Sequence, residues 1–270
     1  MGAAPGGKST ELQALLPERS VRVSNEIIQG RSMILAENMT KWGSPRHMNT
    51  NNDPKHFGNL KHVFEIILAD LPCSGEGMFR KDFASRDEWS VENVKLCASR
   101  QKRIIYDVWD ALRPGGWLIY STCTFNTEEN EENVHELANE LGAEIIPVPI
   151  KAEWNITGSL HHHIPVYRFF PHRTRGEGFF LALMRKKREP EHKVPAITKD
   201  KDSKQPVTVP AGIKHLLTEP GKFAFFTDGK SPAGTSSGKP SKTISGQQAG
   251  HHQITGRIYA IPEEHKDIYL

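Results

Sequence analysis

Over residues 1–187, short apolar runs of strand-like composition alternate with segments of helical period, and this alternation leaves few fold classes open. It argues for an α/β domain with a mostly parallel sheet. The candidate strands are "SVRVSNEI" (20–27), "HMNTNND" (47–53), "VFEIILADLP" (63–72), "GWLIYSTCTF" (116–125) and "AEIIPVPI" (143–150). "PVYRFFPHR" (165–173) and "GEGFFLALMRKK" (176–187) lie close enough in sequence to form an antiparallel hairpin.

Helical patterns fill the intervals. Residues 28–40 place Ile28, Ser32, Leu35 and Met39 along one stripe, and residues 90–113 do the same with Val91, Val94, Ile105, Val108 and Leu112 before "RPGG" ends the run. The acidic "NTEENEENVHELANEL" reads as a further helix, with Asn126 as N-cap and Glu129 as its capping-box partner. After residue 187 the composition turns polar and rich in Pro, Gly and Ser, which suits linkers at 188–210 and 228–253. Two short foldable stretches, "GIKHLLTEPGKFAFF" and "GRIYAIPEEHKDIYL", flank the second of these.

No run approaches the roughly 20 apolar residues of a bilayer span, and no secretory signal opens the chain, so a cytoplasmic protein is expected. The three cysteines, Cys73, Cys97 and Cys123, are widely spaced, without C-x-x-C or a His pair at ligand spacing. A disulfide framework and a structural zinc site are therefore not expected, and no metal is assigned. The net charge of +3 permits a nucleic-acid partner without requiring one.

In doubly wound sheets ligands bind outside the carboxyl ends of the strands. Asn25-Glu26, Asp53, Asp70-Leu-Pro-Cys73 and Cys123 all fall at such ends, which gathers acids and two thiols on one rim. The chain opens with "GAAPGGKST", a Gly-rich turn into a helix beginning at Lys8, suited to close approach of a polar ligand. Its G-x-x-x-x-G-K-S spacing also matches a phosphate loop, against which stand Pro5, an amide lost from the cradle, and the absence of a preceding strand.

The stretches "APGGKST", "DLPCSGEGMFRK", "RPGGWLIYSTCTFNTEENE" and "RGEGFFLALMRK" resemble, in order, the motifs of the Sun-type RNA (cytosine-5) methyltransferases, especially the bacterial ribosomal RNA enzymes. The resemblance implies a Rossmann-like S-adenosylmethionine-dependent methyltransferase fold over residues 1–187, a mostly parallel sheet with an antiparallel last strand. The first strand of that fold is missing, so the chain is expected to be truncated at both ends, with residues 211–270 the start of a C-terminal RNA-binding domain.

The resemblance also implies roles. Cys123 is the nucleophile that adds to carbon 6 of cytosine, Cys73 assists product release, and Asp70 bonds the base near ring nitrogen 3. Ala4, Pro5, Gly6, Gly7 and Lys8 face the methionine portion of S-adenosylmethionine, Glu26 its ribose, Arg31 its surroundings and Asp53 its adenine end, with Asp70 also lining the cofactor. Arg80 and Lys81 meet RNA phosphate, and His172 and Arg173 on the late hairpin face the RNA substrate. Gly75, Gly77 and Phe79 shape the entry, and Gly176 and Gly178 permit a tight turn. Ribosomal RNA is the expected partner and a monomer the expected state. The competing expectations are an inactive RNA-binding fragment of such an enzyme and a P-loop NTPase. Cys97 and the loop histidines His161 to His163 are read as structural and solvated.

Overall fold

The computed structural model describes residues 1–188 and, beyond them, the backbone of the short strands Gln205–Pro206, Phe223–Thr227 and Ile258–Pro262. The chain divides into two compact units, one of residues 1–18 with 22–194 and the other of residues 19–21 with 195–270. In the second unit the three short strands form an antiparallel sheet with Phe223–Thr227 in the middle. The expected linkers at 188–210 and 228–253 otherwise lie outside the described residues.

The first unit is α/β. Its strands are β1 (Arg22–Asn25), β2 (His47–Thr50), β3 (Phe64–Asp70), β4 (Leu112–Thr122), β5 (Glu144–Ile145), β6 (Val166–Phe169) and β7 (Phe179–Arg185). Its helices are α1 (Gly7–Leu15), α2 (Gln29–Trp42), α3 (Ala84–Glu88), α4 (Val91–Trp109) and α5 (Asn133–Glu140). β1 pairs β2 in parallel, and β3 pairs β4 in parallel. β7 runs antiparallel to β4, and its far edge is shared by β5 and β6, both antiparallel. The mostly parallel sheet and the late hairpin are therefore as the sequence indicates.

The two sheets are joined through the first three residues. The Met1 amine donates to Leu68 O, Asp70 N–H donates to Met1 O, and Ala3 N–H donates to Asn25 O. Bonds to residues 68 and 70 on either side of one partner are the alternation of a parallel ladder. Burial of that amine outweighs the attraction of Asp70 and Glu26 and lowers its pKa to about 6.

The core lies between β3, β4 and β7 and the inner faces of α4 and α5. Ala69, Leu118, Tyr120, Ala182 and Met184 meet Ile105, Val108, Val134 and Leu137 there, all essentially inaccessible. Full burial of side chains of this size is worth about 1.5–3 kcal/mol each, which fixes the strand ends relative to one another. A smaller cluster of Ala4, Leu35 and Met39 pins the Gly-rich loop to α2.

Some expectations are corrected. The strand over 143–150 shrinks to Glu144–Ile145, because Pro147 and Pro149 have no N–H to give a ladder. The run 90–113 ends at Trp109, and "RPGG" belongs to the first turns of β4, opposite a register shift in β3 between Phe64 and Ile66. Ile28 and Val91 leave their stripes for solvent, each standing at or beside a helix start. Asp53 lies three residues beyond β2, where it caps a 3₁₀ turn by accepting from Lys55 N–H.

Candidate active site

β3 and β4 are parallel neighbours, so the turns that follow them emerge side by side at their carboxyl ends. One carries Cys73 and the other Cys123. The two Sγ atoms stand 3.1 Å apart, both partly exposed. Cys123 N–H also points at Cys73 Sγ at 3.4 Å.

The pair is electrically unequal. Its hydrogen bond with Cys123, then burial, push the Cys73 thiol well above the ordinary range, and the charge on Glu129 adds to this. The same hydrogen bond holds Cys123 below it, and Lys8 offsets part of the repulsion from Asp70. The bias makes Cys123 the more acidic of the two and Cys73 the one that keeps its proton longer, which suits a nucleophile and a proton-handling group at one point.

Asp70, the last residue of β3, accepts from Lys8 Nζ at 2.8 Å and from Ser121 Oγ at 2.8 Å. Lys8 stands in the first turn of α1, which has no side-chain cap and no acidic residue in that turn, so its N-terminal amides keep capacity for an incoming polar group. Gly6 leads into the helix at φ 119°, a conformation open to glycine, and a Cβ on Gly7 would meet nothing within 4 Å. These features fit a small polar ligand lying across the loop.

Glu26 follows β1, but it is only 2% exposed. Its carboxylate accepts from Ala4 N–H and Ile28 N–H, with Arg31 at 3.7 Å. Arg31 in turn donates to Ala4 O, so both residues brace the Gly-rich loop. Sequence reasoning missed Ile27 and Ile28, which are half exposed beside Glu26 and offer an apolar wall at the end of β1. Two consecutive isoleucines ahead of a helix were the available signal.

Arg80 reaches the late hairpin, bonding Glu177 and Gly176 O. On that hairpin Arg173 donates to Thr157, and His172 lies against Phe170, which packs at a tilt on Phe125, two residues after Cys123. Lys81 is exposed on the same turn as Arg80. Gly178 serves close packing, not the tight turn expected of it, and Gly77 packs beside it. A Cβ on Gly77 would lie 2.5 Å from Cys123 O, and one on Gly178 would lie 2.0 Å from the Phe125 ring, so both permit close packing around Cys123.

Behind the thiols is a polar network that the sequence did not disclose. The capping role of Asn126 is present, since its Oδ1 accepts from Glu129 N–H, but the turn it opens, Glu128–Glu132, is π-helical. The Glu129 carboxylate accepts from the Asn126 side chain instead of its backbone N–H, and from Ser74 N–H and Gln101 Nε2. Cys97 is buried in α4, and His162 stacks on His135; no group of metal-binding side chains occurs among the described residues.

Residues 1–185 match the family model described as 16S rRNA methyltransferase RsmB/F. The chain belongs to this family. Among curated RsmB/F relatives, the ribosomal RNA small subunit methyltransferase F of Aliivibrio salmonicida is 38% identical over 192 residues, covering 69% of this chain and 40% of that protein. Its counterpart in Erwinia tasmaniensis is 36% identical, covering 69% of this chain and 39% of that protein. The chain thus spans about two fifths of the length of the curated relatives it matches. NSun6 from Pyrococcus horikoshii, solved with SFG, has a TM-score of 0.60 at 30% identity, covering 70% of this chain and 47% of that one. Membership in the RsmB/F family sets aside the P-loop reading.

Proposed function

We propose that the chain transfers a methyl group from S-adenosylmethionine to carbon 5 of a cytosine in RNA, with ribosomal RNA as the substrate class, through a covalent adduct on Cys123. The observation that carries this reading is the 3.1 Å approach of two thiols of unequal acidity on adjacent strand ends. The RsmB/F match supports the substrate class, and the neighbour solved with SFG, an S-adenosylmethionine analogue, supports the cofactor.

The Gly6–Gly7 loop, the N-terminal amides of α1, Glu26, Asp53 and the exposed pair Ile27 and Ile28 are the residues that would hold the cofactor. When bound, it supplies a sulfonium-activated methyl group, which carbon 5 captures with loss of S-adenosylhomocysteine. The chain's own residues prepare that carbon. The Cys123 thiolate bonds carbon 6, and the carbon 5–carbon 6 π pair moves through carbon 4 toward nitrogen 3; Asp70 holds the base edge near nitrogen 3 by accepting from its exocyclic amino group, and the Lys8 cation on Asp70 offsets the charge the ring gains.

Once the Cys123 sulfur is a thioether, the largest influence holding the Cys73 proton is gone, and that proton can leave to solvent. The Cys73 thiolate then takes the proton from carbon 5. The electron pair left behind re-forms the carbon 5–carbon 6 bond and expels Cys123 as thiolate. Both sulfurs return to their starting states, with one proton released per methyl transferred.

RNA containing 5-azacytidine tests this directly. The chain is expected to remain covalently attached to it, Cys123→Ser to lose attachment, and Cys73→Ala to accumulate an adduct on ordinary RNA. Retention by Cys123→Ser, or normal release by Cys73→Ala, refutes the assignment.

A further inference from the structure

The two thiols stand on separate turns, 50 residues apart in sequence, and something must fix the distance between those turns. Direct main-chain bonding across the gap includes Gly77 N–H to Cys123 O and Leu71 N–H to Ser121 O. Two carboxylates add the rest. Glu76 belongs to the Cys73 turn, yet its Oε2 accepts from Phe125 N–H at 2.6 Å and Asn126 N–H at 2.9 Å on the Cys123 turn. Its Oε1 accepts from Trp89 Nε1 and Asn126 Nδ2. Glu129 follows the Cys123 turn, yet it accepts from Ser74 N–H on the Cys73 turn at 3.0 Å, and it is wholly buried.

We propose that Glu76 and Glu129 are positioning residues that clasp the two cysteine turns together, each rooted on one turn and holding main-chain amides of the other. The inference rests on the two-thiol reading above, and it names residues that touch neither base nor cofactor. The donors are satisfied by both oxygens of each carboxylate, a geometry that an amide side chain of the same shape cannot reproduce, because half of it is a donor facing donors. The two carboxylates differ in protonation: at Glu129 burial outweighs the bonds from Ser74, Asn126 and Gln101 and raises its pKa. Burial pushes Glu76 up, but the bonds from Thr124, Phe125 and Asn126 outweigh it and hold it below the usual carboxylate range.

The test reads thiol proximity without RNA or cofactor, so its outcome is separate from that of the methyl-transfer reading. The full chain is treated with diamide, an azo oxidant. The Cys123 thiolate adds to its N=N bond, Cys73 displaces the adduct, a Cys73–Cys123 disulfide forms, and diamide leaves as the hydrazine carrying two electrons and two protons. The linked peptides are followed by mass spectrometry. Glu76→Gln and Glu129→Gln are each expected to slow disulfide formation by about tenfold, the equivalent of one charge-assisted hydrogen bond. Leu137→Ala, which loosens the core behind α5, is expected to lower the unfolding midpoint and leave the rate alone. Should Glu76→Gln fail to fold, Trp89→Phe removes one donor from Glu76 at a partly exposed site and is expected to slow the reaction about threefold. Wild-type rates in the glutamine variants or in Trp89→Phe, or equal slowing in Leu137→Ala, overturn the proposal.

Discussion

Replacing Gly77 by alanine is the sharpest probe of the cysteine turns, because every atom a new methyl would meet is main chain. The Cβ would lie 2.5 Å from Cys123 O, 2.7 Å from Gly178 O and 2.9 Å from Gly178 Cα, whereas ordinary contact begins at 3.4 Å. Relief requires the Cys123 turn to move by about 1 Å, since no flexible side chain can give way instead. That movement stretches the 2.8 Å bond from Gly77 N–H to Cys123 O and carries the Cys123 sulfur away from Cys73. Overpacking of this kind costs about 1–3 kcal/mol of stability, while a 1 Å misplacement of reacting groups costs on the order of 100-fold in rate. Gly75→Ala is the matched control: its Cβ meets nothing within 4 Å, and the cost is confined to the strain of φ +78°, about 1–2 kcal/mol. The assay pairs a thermal melt with the rate of covalent capture on 5-azacytidine RNA. Gly77→Ala should lose capture far more than Gly75→Ala at similar loss of stability. Equal capture rates in the two variants would refute the claim that this close approach sets the thiol geometry.

Gly7→Ala should leave the fold unharmed or slightly more stable, because alanine is the better helix residue and the space is open, yet weaken S-adenosylmethionine binding at least about tenfold in calorimetry. Unchanged affinity would show that the open space is not the cofactor's. Lys8→Met removes the cation that offsets Asp70, so the pH at which Cys123 is alkylated by iodoacetamide should rise, as read by peptide mass spectrometry. His47 is lowered to about 4, first by burial and then by Arg22, so the unfolded chain binds more protons than the folded one between pH 6.5 and 4. Stability should therefore fall by about 1–3 kcal/mol as pH drops through that window, and His47→Gln should flatten the denaturation profile there.

The parts of the site that were legible in the sequence share a property: each is signalled within a few residues. "DLPC" and "STC" mark strand ends and carry their thiols with them, and parallel pairing of β3 with β4 then brings Cys73 to Cys123 without further instruction. "PGGK" marks a turn into a helix, which is where α1 begins. What was not legible is pairing across long separations. Nothing near Glu76 announces that its carboxylate will bind amides at 125 and 126, and nothing near Glu129 announces Ser74. The same holds for Glu131, whose wholly buried ion pair with Arg168 crosses from the π-helical turn to β6. The shortened strand at Glu144–Ile145 is a different kind of miss, since Pro147 and Pro149 were visible and their missing donors were not given their weight.

The division of labour between the thiols follows first from the hydrogen bond between them, which raises Cys73 and lowers Cys123, and the charges around the pair adjust it. Two carboxylates bear on the sulfur pair: Asp70 on Cys123 and Glu129 on Cys73. Each raises the pKa of its thiol. Asp70 has Lys8 Nζ at 2.8 Å, and that cation offsets part of its effect at Cys123. Glu129 is met by amide donors from Ser74, Gln101 and Asn126, which satisfy its lone pairs and leave its charge uncompensated toward Cys73. The first thiolate therefore forms at Cys123, and Cys73 is released to act as a base after Cys123 has been consumed. The hydrogen bond between the two sulfurs thus sets the order of events, and the lysine at the start of α1 adds a smaller bias in the same direction.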